Sequence, residues 1–347
     1  MRPNMTLRLL PFAMLFLILP GLHAQLTVID IPNATNVHVT SINNAGEVVG
    51  YFCEGAGSSC FPFDPTQRGF VRQSNGEIVT FDGIPMGIND AGSVAGYMLG
   101  SGEEWIRAFS RDKKGNVAAF AIQPLPPDPA ATFGIAINNR GDVAGYVIPC
   151  PICDNYRAFV RDKKGQTSTF TAERGLMAVS INARGDVTGR TSPYYVSELG
   201  FIADRKGNLS LFEVPDGSPS PGPEAFPVSI NNAGDVTGYF DDTHDLENRR
   251  TRSFVRFHDG SFAIFDASAD AWATRSSAIN EQGDVAGGFA TPTGRGLFLR
   301  GQAGELTVFN IPDSLGAEIS ALNNRGDVAG SYTDETNVTH GFIWTAP

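Results

Sequence analysis

The residues best suited to chemistry in this chain are few and scattered. Cys53 and Cys60 lie close together, as do Cys150 and Cys153. An even number of closely spaced cysteines in an exported chain predicts two local disulfides. The C-x-x-C spacing also suits zinc, but a four-thiolate site would have to join repeats that are not neighbours. Asp241, Asp242, His244, Asp245 and Glu247 form an acidic run of the kind hard cations use. Arg249, Arg250 and Arg252 follow at once, so a solvated, internally paired loop is the expected reading and no metal is assigned. Trp105, Tyr156, Tyr194, Tyr195 and Trp272 have ring faces that could stack on sugars. The competing reading places each over a loop or a core.

The inventory for catalysis is thin. Beyond residue 24 the only histidines are His38, His244, His258 and His340. There is no G-x-S-x-G elbow, no H-E-x-x-H and no phosphate-cradling loop. A facing pair of carboxylates would suit glycoside hydrolysis, yet the sequence singles out no pair. No catalytic residue and no cofactor is assigned.

The elements that must position these residues come from a repeat. The unit I-N-x-x-G-x-V-x-G starts at Ile42, Ile88, Ile137, Ile181, Ile230, Ile279 and, as a variant, Leu322. The intervals are 46, 49, 44, 49, 49 and 43 residues. A second pattern follows the first six copies: a Phe, a Gly six residues on, and an aromatic five later, as in Phe70/Gly76/Phe81. The Asn and first Gly of each copy (Asn43/Gly46, Asn89/Gly92, Asn138/Gly141, Asn182/Gly185, Asn231/Gly234, Asn280/Gly283, Asn323/Gly326) are assigned to structure. The Asn opens a turn, and the Gly takes the positive φ that lets two strands resume pairing. Arg140-Gly141-Asp142 and its counterparts at Arg184 and Arg325 are therefore turn chemistry rather than adhesion signals.

Each unit reads as four strands, a to d, separated by an a–b turn, a b–c loop and a c–d turn. The chain ends are offset from this unit. LTVIDIPN from Leu26 copies the strand d at Leu306, whereas HGFIWTAP is a strand c with nothing after it. The expected fold is all-β: a seven-bladed β-propeller of four-stranded antiparallel blades, its ring closed by the N-terminal strand. An open β-solenoid is the alternative.

Arg2 and Arg8 precede an apolar run from Leu9 to Leu22, which ends at Leu22-His23-Ala24. This predicts a signal peptide over 1–24 and one repeat domain over 25–347, periplasmic or released. The formal net charge of −11 becomes −13 without those two arginines. Such a surface repels phosphate backbones and anionic lipid, so nucleic acid and membrane insertion are poor expectations. A monomer is expected.

The repeat unit followed by a short [H/R]-[A/G]-F strand resembles the HAF-repeat family of extracellular bacterial proteins, over essentially the whole mature chain. His340-Gly341-Phe342 is nearest to the naming tripeptide. Arg68, Arg107, Arg157 and Arg252 replace the His, and Leu199 and Gly296 stand there in two copies. The resemblance implies export and a repeat architecture, and no activity. Residues common to all copies are architecture, so function belongs on the face holding the long b–c and d–a loops. Three functions fit: a non-catalytic module binding an extracellular glycan or protein, a carbohydrate-active enzyme using carboxylates on that face, or a structural matrix protein. The first is preferred.

Overall fold

A computed structural model describes residues 24–55, 66–100, 106–122, 131–149, 156–173, 175–191, 198–215, 223–242 and 249–346. The described residues contain strands and no helix. Strands a are Ala34–Ile42, Ile84–Ile88, Ala131–Ile137, Leu176–Ile181, Ala225–Ile230, Ala273–Ile279 and Ser314–Leu322. Strands b are Val48–Glu54, Val94–Leu99, Val143–Ile148, Val187–Thr191, Val236–Asp242, Val285–Thr291 and Val328–Asp334. Strands c are Gln67–Arg72, Ile106–Arg111, Arg157–Arg161, Gly200–Ala203, Arg250–Arg256, Gly294–Arg300 and Thr339–Thr345. Strands d are Ile78–Asp82, Val117–Phe120, Thr167–Phe170, Leu209–Phe212, Phe262–Phe265 and Leu306–Phe309. Within each repeat a, b, c and d pair antiparallel in that order. Single parallel bridges, Ile106–Ala131 and Thr251–Ala273, link two pairs of adjacent sheets.

The last sheet takes its fourth strand from the other end of the chain. Gln25–Ile29 pairs antiparallel with Thr339–Thr345, from Gln25 opposite Thr345 to Ile29 opposite Gly341. The signal-peptide expectation falls on residues 1–23, outside the described residues, apart from Ala24.

The two glycines of the repeat do different work. The first, at Gly46, Gly92, Gly141, Gly185, Gly234, Gly283 and Gly326, has φ between 74° and 96° in every copy. This is the left-handed region that the turn requires. Turn chemistry is not the whole account of these positions, because the preceding repeat packs over some of them. A guanidinium lies where a Cβ would point at Gly46, Gly185 and Gly234, from Arg325, Arg140 and Arg184 respectively. Lys113 crowds Gly92 at 3.1 Å and Gln302 crowds Gly283 at 3.3 Å, whereas nothing approaches Gly326 within 4 Å.

The second glycine needs space. Strand a bulges in every repeat, as between Val39 and Ser41. A Cβ on Gly50 would overlap the carbonyl oxygen of His38 and press on the ring of Phe70 at 2.7 Å. Gly96, Gly145, Gly189, Gly238, Gly287 and Gly330 stand in the same crowding.

That Phe is the centre of each sheet's core. Phe70, Phe109, Phe159, Phe201, Phe254, Phe298 and Phe342 are all fully buried. Strand d then reaches the next repeat. Phe81 meets Phe109 edge-on at 6.0 Å, and Phe120, Phe212 and Phe265 meet Phe159, Phe254 and Phe298 in the same way. These four contacts between neighbouring sheets have the edge-to-face geometry that aromatic rings prefer. Arg111 closes the contact from above, its guanidinium 4.9 Å from the Phe81 ring centre.

Candidate functional site

The a–b turn face is a closed circuit of hydrogen bonds. Asn138 Oδ1 accepts from the backbone N–H groups of Arg140 and Asp142, capping its own turn. Its Nδ2 donates to the Asn182 carbonyl oxygen at 3.1 Å, in the next repeat. The same donation runs from Asn43 to Asn89, Asn89 to Asn138, Asn182 to Asn231, Asn231 to Asn280 and Asn280 to Asn323. It returns from Asn323 to Asn43 at 3.1 Å. A second, outer circuit links the following residues, as from Asn324 N–H to Asn44 Oδ1 at 2.8 Å. It is broken only where Ala183 supplies no side-chain oxygen to Asn139.

The asparagines and glycines assigned together as repeat structure therefore separate. Asn43, Asn89, Asn138, Asn182, Asn280 and Asn323 line a depression at the centre of the turn face. Gly46, Gly92, Gly141, Gly185, Gly234, Gly283 and Gly326 stand outside that lining and shape the turn backbone.

The adhesion-like tripeptides are spent in this network. Asp142 is buried and accepts from Arg140 Nη2 at 2.7 Å and from Asn138 Nδ2 at 3.2 Å. Hydrogen bonds from Asn323, Arg325 and Thr345 outweigh burial and hold Asp327 below the usual carboxylate range. These carboxylates are committed to their own turns.

Strand a also brings all seven repeats around one cavity of about 210 Å³. Its lining includes the small residues before the repeat Ile: Ser41, Gly87, Ala136, Ser180, Ser229, Ala278 and Ala321. Space sets their size. A Cβ on Gly87 would lie 3.3 Å from the backbone nitrogen of Ile137 in the next repeat.

The opposite face is irregular and aromatic. Strand a presents His38, Ile84, Phe133, Met177, Phe226, Arg275 and Glu318 at one equivalent position, four residues before the repeat Ile or Leu. The residue just after the second repeat glycine faces it from strand b: Tyr51, Tyr97, Tyr146, Arg190, Tyr239, Gly288 and Ser331. His38 stacks on Tyr51 at 5.0 Å, Phe133 on Tyr146 at 5.0 Å and Phe226 on Tyr239 at 5.0 Å. Tyr97 meets Phe133 edge-on, and Arg190 lies over Phe226. Burial, with Tyr97 and Tyr156 nearby, pushes the Tyr146 hydroxyl up to about 12. Burial also lowers the His38 pKa, against the opposing pull of the Glu318 charge.

The belt of rings stops at Gly288. There a cavity of about 480 Å³ opens among the strands of repeats 5, 6 and 7. Its walls include Tyr239, Trp272, Arg275, Ser276, Phe289, Arg295 and Glu318. Trp272 is 52% exposed. Its backbone is fixed on both sides, donating to the Ala290 carbonyl at 3.0 Å and accepting from Thr251 N–H at 3.1 Å. Arg275, Arg295 and Glu318 are exposed, and among the described residues none is ion-paired. Ser276 is buried, and its Oγ has no hydrogen-bond partner.

The sequence-derived candidates divide. Trp272 is on the cavity wall. Tyr156 does not present a face: it is buried and stacks on Tyr146 at 6.1 Å, because the ring belt needs cover there. Trp105, Tyr194, Tyr195, Cys60, Cys150, Cys153, His244, Asp245 and Glu247 lie outside the described residues. Cys53 is fully buried, and no described cysteine is free. Of the acidic run, Asp241 accepts from Thr251 Oγ1 at 2.8 Å and Asp242 lies 3.6 Å from Arg252. No metal-holding cluster occurs among the described residues. Nearby, partial burial and the Glu198 and Asp241 charges raise the Glu224 pKa.

Tyr239, Arg275, Arg295 and Glu318 were not singled out by the sequence reading. A signal was present: the residue after the second repeat glycine reads Tyr, Tyr, Tyr, Arg, Tyr, Gly, Ser through the seven copies. Ending the unit at that glycine hid it.

The basic residue that stands two places before the buried Phe of strand c has a physical role. Arg68 pairs with Asp82 at 3.1 Å, Arg252 with Asp266 at 3.1 Å and His340 with Asp30 at 2.6 Å. It ties strand c to the end of strand d.

No family model and no curated protein matches the chain. Solved structures do. A streptogramin B lyase matches with a TM-score of 0.55 at 13% identity, over 93% of this chain and 98% of its own. A catalytically inactive virginiamycin B lyase from Staphylococcus aureus, with quinupristin, matches with a TM-score of 0.56 at 14% identity, over 92% and 99%. The β-propeller domain of the Trilobed protease from Pyrococcus furiosus, described as having an open velcro topology, matches with a TM-score of 0.63 at 8% identity, over 89% and 95%. At such identities the likeness speaks for the fold alone. The chain is an all-β protein of repeated four-stranded antiparallel sheets, with the fold of a β-propeller.

Proposed function

We propose that this chain is an exported, non-catalytic binding module: a seven-bladed β-propeller, closed into a ring, that takes an extracellular glycan or protein on its b–c/d–a loop face. The carrying observation is the contrast between the two faces. The turn face spends its polar groups in a hydrogen-bond circuit that returns to its start. The loop face carries an aromatic belt and an open cavity with three unpaired charges. The same circuit and the pairing of Gln25–Ile29 with the C-terminal strand support closure of the ring. Rigid scaffold and variable face are the usual division of labour in binding modules.

A glycan array and a protein pull-down with the mature chain test this reading. Replacing Trp272 and Arg295 together by Ala should abolish the hits, and the turn-face change Lys164→Glu should leave them intact. The opposite pattern would remove the face assignment. Turnover of a polysaccharide, lost in Glu224→Gln, would replace binding with catalysis. Export with cleavage after Ala24, and local Cys53–Cys60 and Cys150–Cys153 disulfides, belong to the same proposal. Amino-terminal sequencing and intact mass before and after reduction check them.

A further inference from the structure

We infer that the cavity opened by Gly288 seats an acidic saccharide, with a uronate ring against Trp272 and its carboxylate between Arg275 and Arg295. This rests on the loop-face binding reading and gives it a ligand class.

The cavity is a missing ring. Four repeats place a tyrosine at this register and a fifth places Arg190. With Gly288 there, the space beside Tyr239 and Phe289 is vacant, and its volume falls in the range of small-molecule sites. Tyr239 is a wall and no platform, because Phe226 covers one side and the Arg275 guanidinium lies 5.2 Å from its ring centre. Trp272 is the ring with an open face, and its fixed backbone means little freedom is lost on binding.

The polar groups decide the class. Two exposed guanidiniums and one carboxylate line the cavity, leaving it cationic in a chain of net charge −11. A guanidinium fork matches a carboxylate in bidentate geometry. Glu318 can accept from sugar hydroxyls. An extended peptide would dock most readily by adding to a free sheet edge. The strand Val285–Thr291 at this cavity is already paired along both edges.

The test is calorimetric titration of the mature protein with tetramers of galacturonate, glucuronate and mannuronate, and with the methyl-esterified galacturonate tetramer. At least one uronate tetramer should bind, and the ester should bind at least about ten-fold more weakly. Arg295→Gln should weaken the uronate by a similar factor. Gly288→Tyr should abolish binding with the thermal midpoint preserved, since a Cβ there meets nothing closer than 3.7 Å. Equal binding of acid and ester, or no binding of any uronate, overturns the acidic-sugar assignment. If Gly288→Tyr then abolishes an array hit of another class, the loop-face reading survives that failure. If Gly288→Tyr leaves uronate binding intact, the cavity is not the seat and this inference falls.

Discussion

Asn138 serves two repeats at once, and its removal should show it. Alanine there would strip two backbone donors in its own turn and one carbonyl in the next of their partners, two of these bonds buried and one part-buried. A loss of about 2–3 kcal/mol is expected for such a buried network, read by urea denaturation. A change below about 0.5 kcal/mol would mean that water replaces the side chain freely. The two repeat glycines separate by mechanism. Gly141→Ala meets nothing closer than Lys163 Cβ at 3.6 Å, so its cost is the positive φ alone, about 1 kcal/mol. Gly145→Ala must push back the Phe133 carbonyl and the Phe159 ring, and should cost about 3 kcal/mol or prevent folding. Equal costs would refute this division. The turn role of the first Gly was legible because N-x-x-G-D has a backbone meaning. The guanidiniums over Gly46, Gly185 and Gly234 were not, because each comes from another repeat. Nor was the packing role of the second Gly, since a bulge in strand a lies several residues away in sequence.

At the scale of elements, the strand Gln25–Ile29 and its partner Thr339–Thr345 carry the most exposed dependence. His340 holds this pair through Asp30 at 2.6 Å and Asp334 at 3.3 Å. Burial opposes its protonation, but these two carboxylates outweigh that and raise its pKa above the ordinary 6.5. The folded state therefore binds the proton more tightly than the unfolded state. This stabilisation is fully present below the ordinary histidine value and fades as pH rises through the raised one. The thermal midpoint of the wild type relative to His340→Gln should shrink between about pH 6 and pH 8. A difference that is constant or grows over that window would contradict the pairing. Deleting residues 25–30 should lower the midpoint by ten degrees or so and favour aggregation, because it bares the edge of Thr339–Thr345. The offset of the two chain ends made this pairing visible in sequence, since Leu26 and Leu306 begin the same pattern. The edge-on ring contacts across repeats were not visible, because Phe81 and Phe109 meet only once neighbouring sheets face each other.

For the whole molecule, an inner circuit of hydrogen bonds, and an outer one broken at Ala183, make one face uniform, while Arg190, Gly288 and Ser331 in a column of tyrosines make the other uneven. The sequence announced the uniform face seven times. It announced the uneven one by a departure, at Gly288, from a column of tyrosines that only the paired strands bring into view. Trp272 was found from composition and loop position, and its cavity partners came from three different repeats. The most direct measurement of one-sided binding is amide hydrogen exchange on residues 25–347, with and without a ligand taken from the array. Protection is expected in Trp272–Ser277, Gly288–Ala290, Arg295–Gly296 and Ala317–Ile319, with the turns at Asn43, Asn138 and Asn231 unchanged. Protection confined to those turns, with the cavity segments unaffected, would contradict it.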